Sequence, residues 1–214
     1  TRTVQPFLLS GLLQCGRCGN KLIGVSRRQK WETRDGEQKS ALYRYYQCES
    51  RTNQNSCAYN TQRVADLEAR LREALREDGQ PVTRLRRAGN VDSYLLDLHA
   101  QVDRIEGRMK RNRRDVEELV ADAAHGHITI ERMKALGGEL ASEHQALQAE
   151  LSAARDRLHA QQTEAERRRH LDALRERVVR DWDELPFDEL QAILREIVDR
   201  VEIDDADFRV FLRA

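Results

Sequence analysis

The 214-residue sequence predicts an α+β chain that is mostly α: a small β-rich head with flanking helices and a long helical hairpin inserted into it. Three observations predict this. Charged residues make up 35% and aromatics 5%, too lean for one well-filled core of this length and typical of long helices that cover each other along narrow seams. The four cysteines, Cys15, Cys18, Cys48 and Cys57, all lie in the first third of the chain. Beyond residue 92, apolar residues recur at alternating steps of three and four over two long stretches.

The net charge of zero hides a division. Residues 1–65 hold 11 Lys/Arg against 4 Asp/Glu, and the remainder holds 26 against 33. A head of +7 on a body of −7 points to a polyanionic partner for the head, although solvated charge can also fall unevenly. No apolar run approaches the roughly 20 residues that span a bilayer, and no basic-then-apolar leader opens the chain. A cytoplasmic protein is expected. The chain opens on Thr1 and its first methionine is Met109, which fits removal of an initiator methionine or a cut from a longer protein.

Taken in order, the elements start with the cysteines. Disulfides do not persist in a reducing cytosol. C-x2-C followed by C-x8-C fits a structural metal site better, because two thiolates on one tight turn reach adjacent corners of a tetrahedron about 2.3 Å from zinc. Gly16 and Gly19 suit that turn, since glycine accepts positive φ. No histidine precedes His99, so all four ligands are expected to be thiolates of Cys15, Cys18, Cys48 and Cys57 around one structural Zn2+. A redox pair and unliganded core cysteines are the alternatives. "CESRTNQNSC" makes the second knuckle a long polar loop.

"VQPFLLSGLLQC" reads as a strand running into the first knuckle, "NKLIGVS" as one leaving it, and "ALYRYYQC" as the return. Residues 25–41 form the connection, with Asp35-Gly36 as its turn. This arrangement is a zinc ribbon. Its basic residues, Arg17, Lys21, Arg27, Arg28, Lys30, Arg34, Lys39, Arg44 and Arg51, make it a candidate for gripping phosphates or entering a major groove of double-stranded DNA. Basic residues decorate any exposed hairpin, however, and Trp31, Tyr43, Tyr45 and Tyr46 are expected to pack on the sheet rather than touch bases.

Asn60 or Thr61 caps a helix bearing Val64, Leu67, Leu71 and Leu75 on one face, which ends before Gly79 and Pro81. From Asp92 a heptad seam runs through Leu95, Leu98, Val102, Ile105, Met109, Asn112, Val116, Leu119 and Ala123. "AAHGHIT" breaks it, with Gly126 as C-cap and Thr129 as the next N-cap. A second seam follows in Met133, Leu136 or Gly137, Leu140, His144, Leu147, Leu151, Ala154, Leu158, Gln161 and Ala165. Two such helices joined by a short turn fold back as an antiparallel coiled coil, an arm of roughly 48 Å. Its tip carries His125, His127, Ile128 and Ile130, which either cap the arm's own core or meet another copy. Pro186 then suits the first turn of a helix with Leu190, Ile193, Leu194 and Ile197 on one face. Alternation in Val201/Ile203 and Phe208/Val210/Leu212 about "DDAD" predicts a closing β-hairpin. The expected organisation is a zinc-ribbon domain with its buttressing helix over 1–80, the coiled-coil arm over 81–180, and 181–214 returning to the ribbon.

"FLLSGLLQCGRCGNKLIG", "YRYYQC" with its later cysteine, the long helical hairpin and "LREIVDRVEI" together resemble the C-terminal region of large serine recombinases, a family of phage integrases and related transposases, over nearly the whole chain. The resemblance implies a ribbon that binds attachment-site DNA. It also implies a coiled coil that contacts other copies through its tip, at Ala124 to Ile130, and that governs synapsis and directionality, with a possible recombination directionality factor as a further partner. It implies DNA integration carried out by a parent protein whose catalytic serine lies in a domain this sequence does not contain. Ser10, Ser26 and Ser40 are not that serine, and the chain is expected not to be an enzyme by itself. A zinc-stapled scaffold that binds only proteins is the alternative, and salt-sensitive duplex binding separates the two.

Overall fold

The computed structural model describes residues 6–50, 57, 60–76, 82–84, 91–204 and 207–213. Arg51 lies outside them. Among the described residues the order is β1 (Leu13–Cys15), β2 (Leu22–Glu32), β3 (Gln38–Cys48), β4 (Thr61–Arg63), α1 (Val64–Arg76), β5 (Val82–Arg84), α2 (Val91–Ala124), α3 (Ile130–Asp181), α4 (Phe187–Ile197), β6 (Val198–Asp204) and β7 (Asp207–Leu212). The fold is α+β and mostly α. The chain divides into two compact units, one of Thr1–Arg87 with Arg168–Ala214 and one of Ala88–Arg167. No described helix is long and apolar enough to cross a membrane.

The first unit holds two sheets. Strands β2, β3 and β4 form an antiparallel sheet in that order, and β1, β6, β7 and β5 form a mixed one. The closing hairpin β6–β7 is the pair expected from its alternation, and its inward residues Val198, Val201, Ile203 and Val210 are fully buried. Around them pack Leu9, Leu13, Leu67, Leu71 and Leu194, all within one core. Burial of such a side chain is worth about 1.5–3 kcal/mol, so this is where the unit draws its stability.

Several expectations are corrected here. The opening apolar run is not one strand. Residues 8–12 turn twice, with Ser10 N–H bonding Phe7 C=O at 3.2 Å and Leu12 N–H bonding Leu9 C=O at 3.1 Å, and Gly11 takes φ +87°. Only Leu13–Cys15 remain extended, paired in parallel with β6 rather than within the ribbon hairpin. The connection at 25–41 is instead mostly strand: β2 and β3 pair over eleven residues each, and only the turn about Asp35-Gly36 is loop, Gly36 lying at φ +76°. Its polar composition hid the strands, because a hairpin exposed on both faces shows no apolar alternation. Asn60 and Thr61 do not cap α1; Asn60 is fully buried and Thr61 belongs to β4. Pro186 precedes α4 at its N-cap position rather than lying in its first turn.

Gly24 stands where a side chain cannot. A Cβ there would lie 2.3 Å from Phe7 Cγ. The Phe7 ring meets Tyr46 edge-on, centroids 5.6 Å apart, and the Arg44 guanidinium lies 4.4 Å from its centroid on the same face of the sheet. Gly24→Ala is therefore expected to destabilise the head by about 1–3 kcal/mol through overpacking. Chemical denaturation of the two proteins measures it.

The second unit is built from α2 and the facing part of α3, which run antiparallel. His99 faces Gln162, Glu106 faces Arg155, Arg108 faces Glu150, and Asn112 faces Leu140. Val102, Ile105, Leu147, Leu151 and Ala154 form its buried seam. Towards the turn the seam loosens: Val116 is 38% exposed and Val120 59%. Asn112 is buried on the seam yet satisfied, its amide donating to Leu140 C=O at 3.1 Å and to Glu143 at 3.3 Å. Such a bond holds only in one register. The break expected at "AAHGHIT" is a Schellman close: Gly126 sits at φ +75°, its N–H bonds Ala123 C=O at 3.1 Å, and His127 N–H bonds Asp122 C=O at 2.9 Å. Thr129 then caps α3, its hydroxyl accepting from Arg132 N–H at 3.3 Å.

Candidate metal centre and nucleic-acid interface

Four elements bring the cysteines together. Cys15 ends β1, Cys18 follows in the turn, Cys48 ends β3, and Cys57 lies in a bend further along the chain. Gly19 closes the first knuckle at φ +74°, its N–H bonding Cys15 C=O at 2.8 Å. Gly16 serves a different need from the positive φ expected of it. A Cβ there would lie 2.9 Å from Asp204 Cβ and 3.2 Å from Ile203 O. The glycine lets β6 come against the knuckle.

The four Sγ atoms lie within 4.8 Å of one another. Cys15 and Cys57 are 3.8 Å apart, and Cys18 and Cys48 3.5 Å. A tetrahedron with sulfurs about 2.3 Å from zinc has edges of roughly 3.8 Å, so the donor set fits a four-coordinate ion. Cys15, Cys48 and Cys57 are buried and Cys18 is exposed. Without a cation their ionisation is divided. The backbone N–H of Asn20, with help from Ser50 and the neighbouring thiols, lowers Cys18 to about 6. Burial pushes Cys57 up to about 12 and raises Cys48 as well. Buried thiolates need a positive charge among them, and a divalent ion supplies it.

Asn60 completes the centre, and sequence reading missed its role. Its Nδ2 donates to Cys15 Sγ at 3.2 Å and to Ile203 C=O at 2.9 Å, while its own C=O accepts from Cys48 N–H at 3.0 Å. A helix-cap residue type three positions past a cysteine carries no signal for this, because the partner Ile203 lies 143 residues on.

The basic residues divide by what they touch. Register places Arg28 opposite Leu42 and Lys30 opposite Ser40 on one face of the β2–β3 hairpin. Arg27 opposite Tyr43 and Trp31 opposite Lys39 fall on the other. Arg17, Lys21, Arg27, Arg28, Lys30, Arg34 and Lys39 are all exposed, and of these Arg27 also donates to Gln47 Oε1 at 2.6 Å and Lys39 pairs with Glu37 at 3.5 Å. Arg17 pairs with Asp204 at 2.6 Å, and Arg44, half-buried, lies over the Phe7 ring and bonds Pro6 C=O. Tyr46 is fully buried, its hydroxyl accepting from Leu9 N–H at 2.9 Å, whereas Trp31 is 43% exposed. At the arm's tip the His125 and His127 rings stack at 5.6 Å, and Ile130 is 64% exposed.

Comparison with known proteins agrees with this geometry. Residues 8–76 match the family model described as "Recombinase zinc beta ribbon domain". No curated protein matches the chain. Among solved structures, the chain described as "Crystal Structure of a LSR-DNA Complex" is 19% identical at a TM-score of 0.53, covering 99% of this chain and 57% of that one. A chain from "Sequence Requirements of the Listeria innocua prophage attP site" is 15% identical over 96% of this chain and 42% of that one; its TM-score of 0.35 is too low to bear on the fold. Residues 8–76 thus carry a recombinase zinc-ribbon segment, the chain shares its fold with the first of these structures, and it spans 57% of that chain's length.

Proposed function

We propose that this chain is the DNA-binding and subunit-interaction region of a large serine site-specific recombinase, acting in DNA integration in the cytoplasm, with the strand-cutting serine supplied by another domain of the parent protein. The observation that carries the reading is the ribbon: a two-stranded hairpin eleven residues long per strand, with exposed Arg and Lys on both faces, in a segment matching the recombinase zinc-ribbon family. At about 3.4 Å per residue the hairpin projects far enough to follow a major groove, which admits a two-stranded ribbon. The bound ion is zinc, held by Cys15, Cys18, Cys48 and Cys57; its chemistry is structural, since four protein thiolates fill the tetrahedron. Lys21, Arg27, Arg28, Lys30, Arg34 and Lys39 meet the duplex, while Arg17 and Arg44 serve the head's own packing. The test is titration of a duplex across a salt series: with about six phosphate contacts, affinity falls by several orders of magnitude between roughly 50 and 200 mM salt. Salt-independent binding, or none, contradicts the reading.

The arm is the part that meets other copies and a directionality factor. Its distal half is furnished for a partner: Ile130 is exposed at the tip, and a groove of about 530 Å3 floored by Leu119, Leu136 and Leu140 is rimmed by Asp115, Glu118, Asp122, Glu139 and Glu143. Replacing Ile128 and Ile130 with Asp is expected to abolish self-association in analytical ultracentrifugation and leave duplex affinity unchanged. Unaltered self-association would remove the tip from the interface.

A further inference from the structure

We propose that the metal centre and the C-terminal hairpin form one clasp joined by Asn60, so that metal loading and docking of β6 on β1 are a single event. This rests on the reading of the four cysteines as metal ligands and adds a consequence for a segment about 140 residues further on.

Ile203 C=O accepts two hydrogen bonds, and both come from the metal centre. One is from Gly16 N–H at 2.7 Å, inside the first knuckle; the other is from Asn60 Nδ2 at 2.9 Å. The same Nδ2 donates to Cys15 Sγ at 3.2 Å. A primary amide nitrogen has two hydrogens, and here each has one acceptor, a ligand sulfur and the hairpin carbonyl. The backbone of Asn60 adds the other knuckle by accepting from Cys48 N–H. One fully buried residue therefore ties the Cys15 side, the Cys48 side and β6 together. Groups that donate to a thiolate ligand hold it in place, and their loss typically costs 10–100-fold in metal affinity.

Without the metal, the Cys15 sulfur keeps only Asn60 Nδ2 and the neighbouring Cys57 thiol as partners, and the knuckle carrying Gly16 N–H loses the ion that draws it closed. β1 is only Leu13–Cys15, so its three-residue pairing with β6 starts at the core and ends at the metal. Gly16 marks the same contact from the other direction, since a methyl group there would strike Asp204 Cβ at 2.9 Å and Ile203 O at 3.2 Å, both on β6. Coupling of this kind is reciprocal: what loosens the hairpin weakens metal binding by the factor by which metal loss loosens the hairpin.

The experiment uses the full chain, with Co2+ as spectroscopic probe and zinc affinity measured by competition with a chromogenic chelator. Asn60→Ala is expected to weaken zinc binding about 10–100-fold and to shift the thiolate-to-Co2+ absorption band, because a hydrogen bond to a ligand sulfur is lost. Gly16→Ala, which leaves every ligand in place, is expected to weaken zinc as well. Hydrogen exchange supplies the reverse direction. In the loaded protein the amides of Gly16 and Val201, which donate to Ile203 C=O and Leu12 C=O, are protected, and chelation is expected to expose both together. Wild-type zinc affinity in both variants, or a Val201 amide that stays protected after the metal is removed, would overturn the clasp. Failure of the wild-type chain to bind zinc at all would instead overturn the metal centre itself.

Discussion

Cys48→Ser is expected to unfold the ribbon even in zinc-replete buffer. Cys48 is fully buried at the end of β3, and its Sγ lies 3.5 Å from Cys18 Sγ. A serine hydroxyl neither ionises at neutral pH nor binds zinc comparably, so the site would fall to three ligands with a polar atom buried beside them. Structural zinc supplies about 10–16 kcal/mol of apparent binding energy in small metal-folded domains, as large as the whole net stability of a typical domain. The distal part of the β2–β3 hairpin has little else to hold it: residues 26–32 of β2 and 38–40 of β3 are all exposed. The expected readouts are loss of the near-ultraviolet signal of buried Tyr46, rapid exchange of the β2–β3 amides and failure to retain zinc. Native-like thermal unfolding in this variant would show that the core leucines, not the metal, support the head.

Reversing Arg28 and Lys30 to Glu is expected to weaken duplex binding by at least 10-fold and to lower the slope of log affinity against log salt by about two, one for each phosphate contact removed. Both residues are exposed on β2 and face Leu42 and Ser40 across the hairpin, so their replacement leaves the core untouched. Arg17→Ala is the matched control. Its guanidinium is engaged by Asp204 at 2.6 Å, and the salt slope is expected to stay as it is. An equal loss from Arg17→Ala and the hairpin reversals would mean that diffuse charge, and not the hairpin, governs the interaction.

What could be read from the sequence follows from where the information is local. Ligand spacing named Cys15, Cys18, Cys48 and Cys57 because two of them share one turn and thiolates have few other uses in numbers of four. Heptad steps placed α2 and α3 within a residue or two, since each seam residue reports on its own helix. Gly126 and Thr129 marked the hairpin turn through backbone needs that few other residues meet. The failures were non-local or silent. The eleven-residue strands of the ribbon hairpin carry polar side chains on both faces, so periodicity had no core to report. β1 looked like a longer strand because Phe7, Leu8, Leu9 and Leu12 are as buried in turns as they would be in a sheet. The parallel pairing of β1 with β6 joins residues nearly 190 apart, and no local pattern announces it. Asn60 looked like a helix cap because the chemistry that suits a cap, a short side chain that bonds backbone groups, also suits the join between a metal ligand and a distant carbonyl. Arg17 and Arg44 show the same limit for charge: composition placed them with the basic face, while packing gives one to Asp204 and the other to Phe7.

The measurement that tests the central claim most directly is fluorescence anisotropy of a labelled random-sequence duplex titrated with this chain across a salt series, before and after zinc removal. The account predicts binding that weakens steeply with salt and disappears with the metal, because the DNA-contacting hairpin is held in shape by the ion. Absence of binding at low salt by the zinc-loaded chain, or binding unchanged after the metal is stripped, would contradict it.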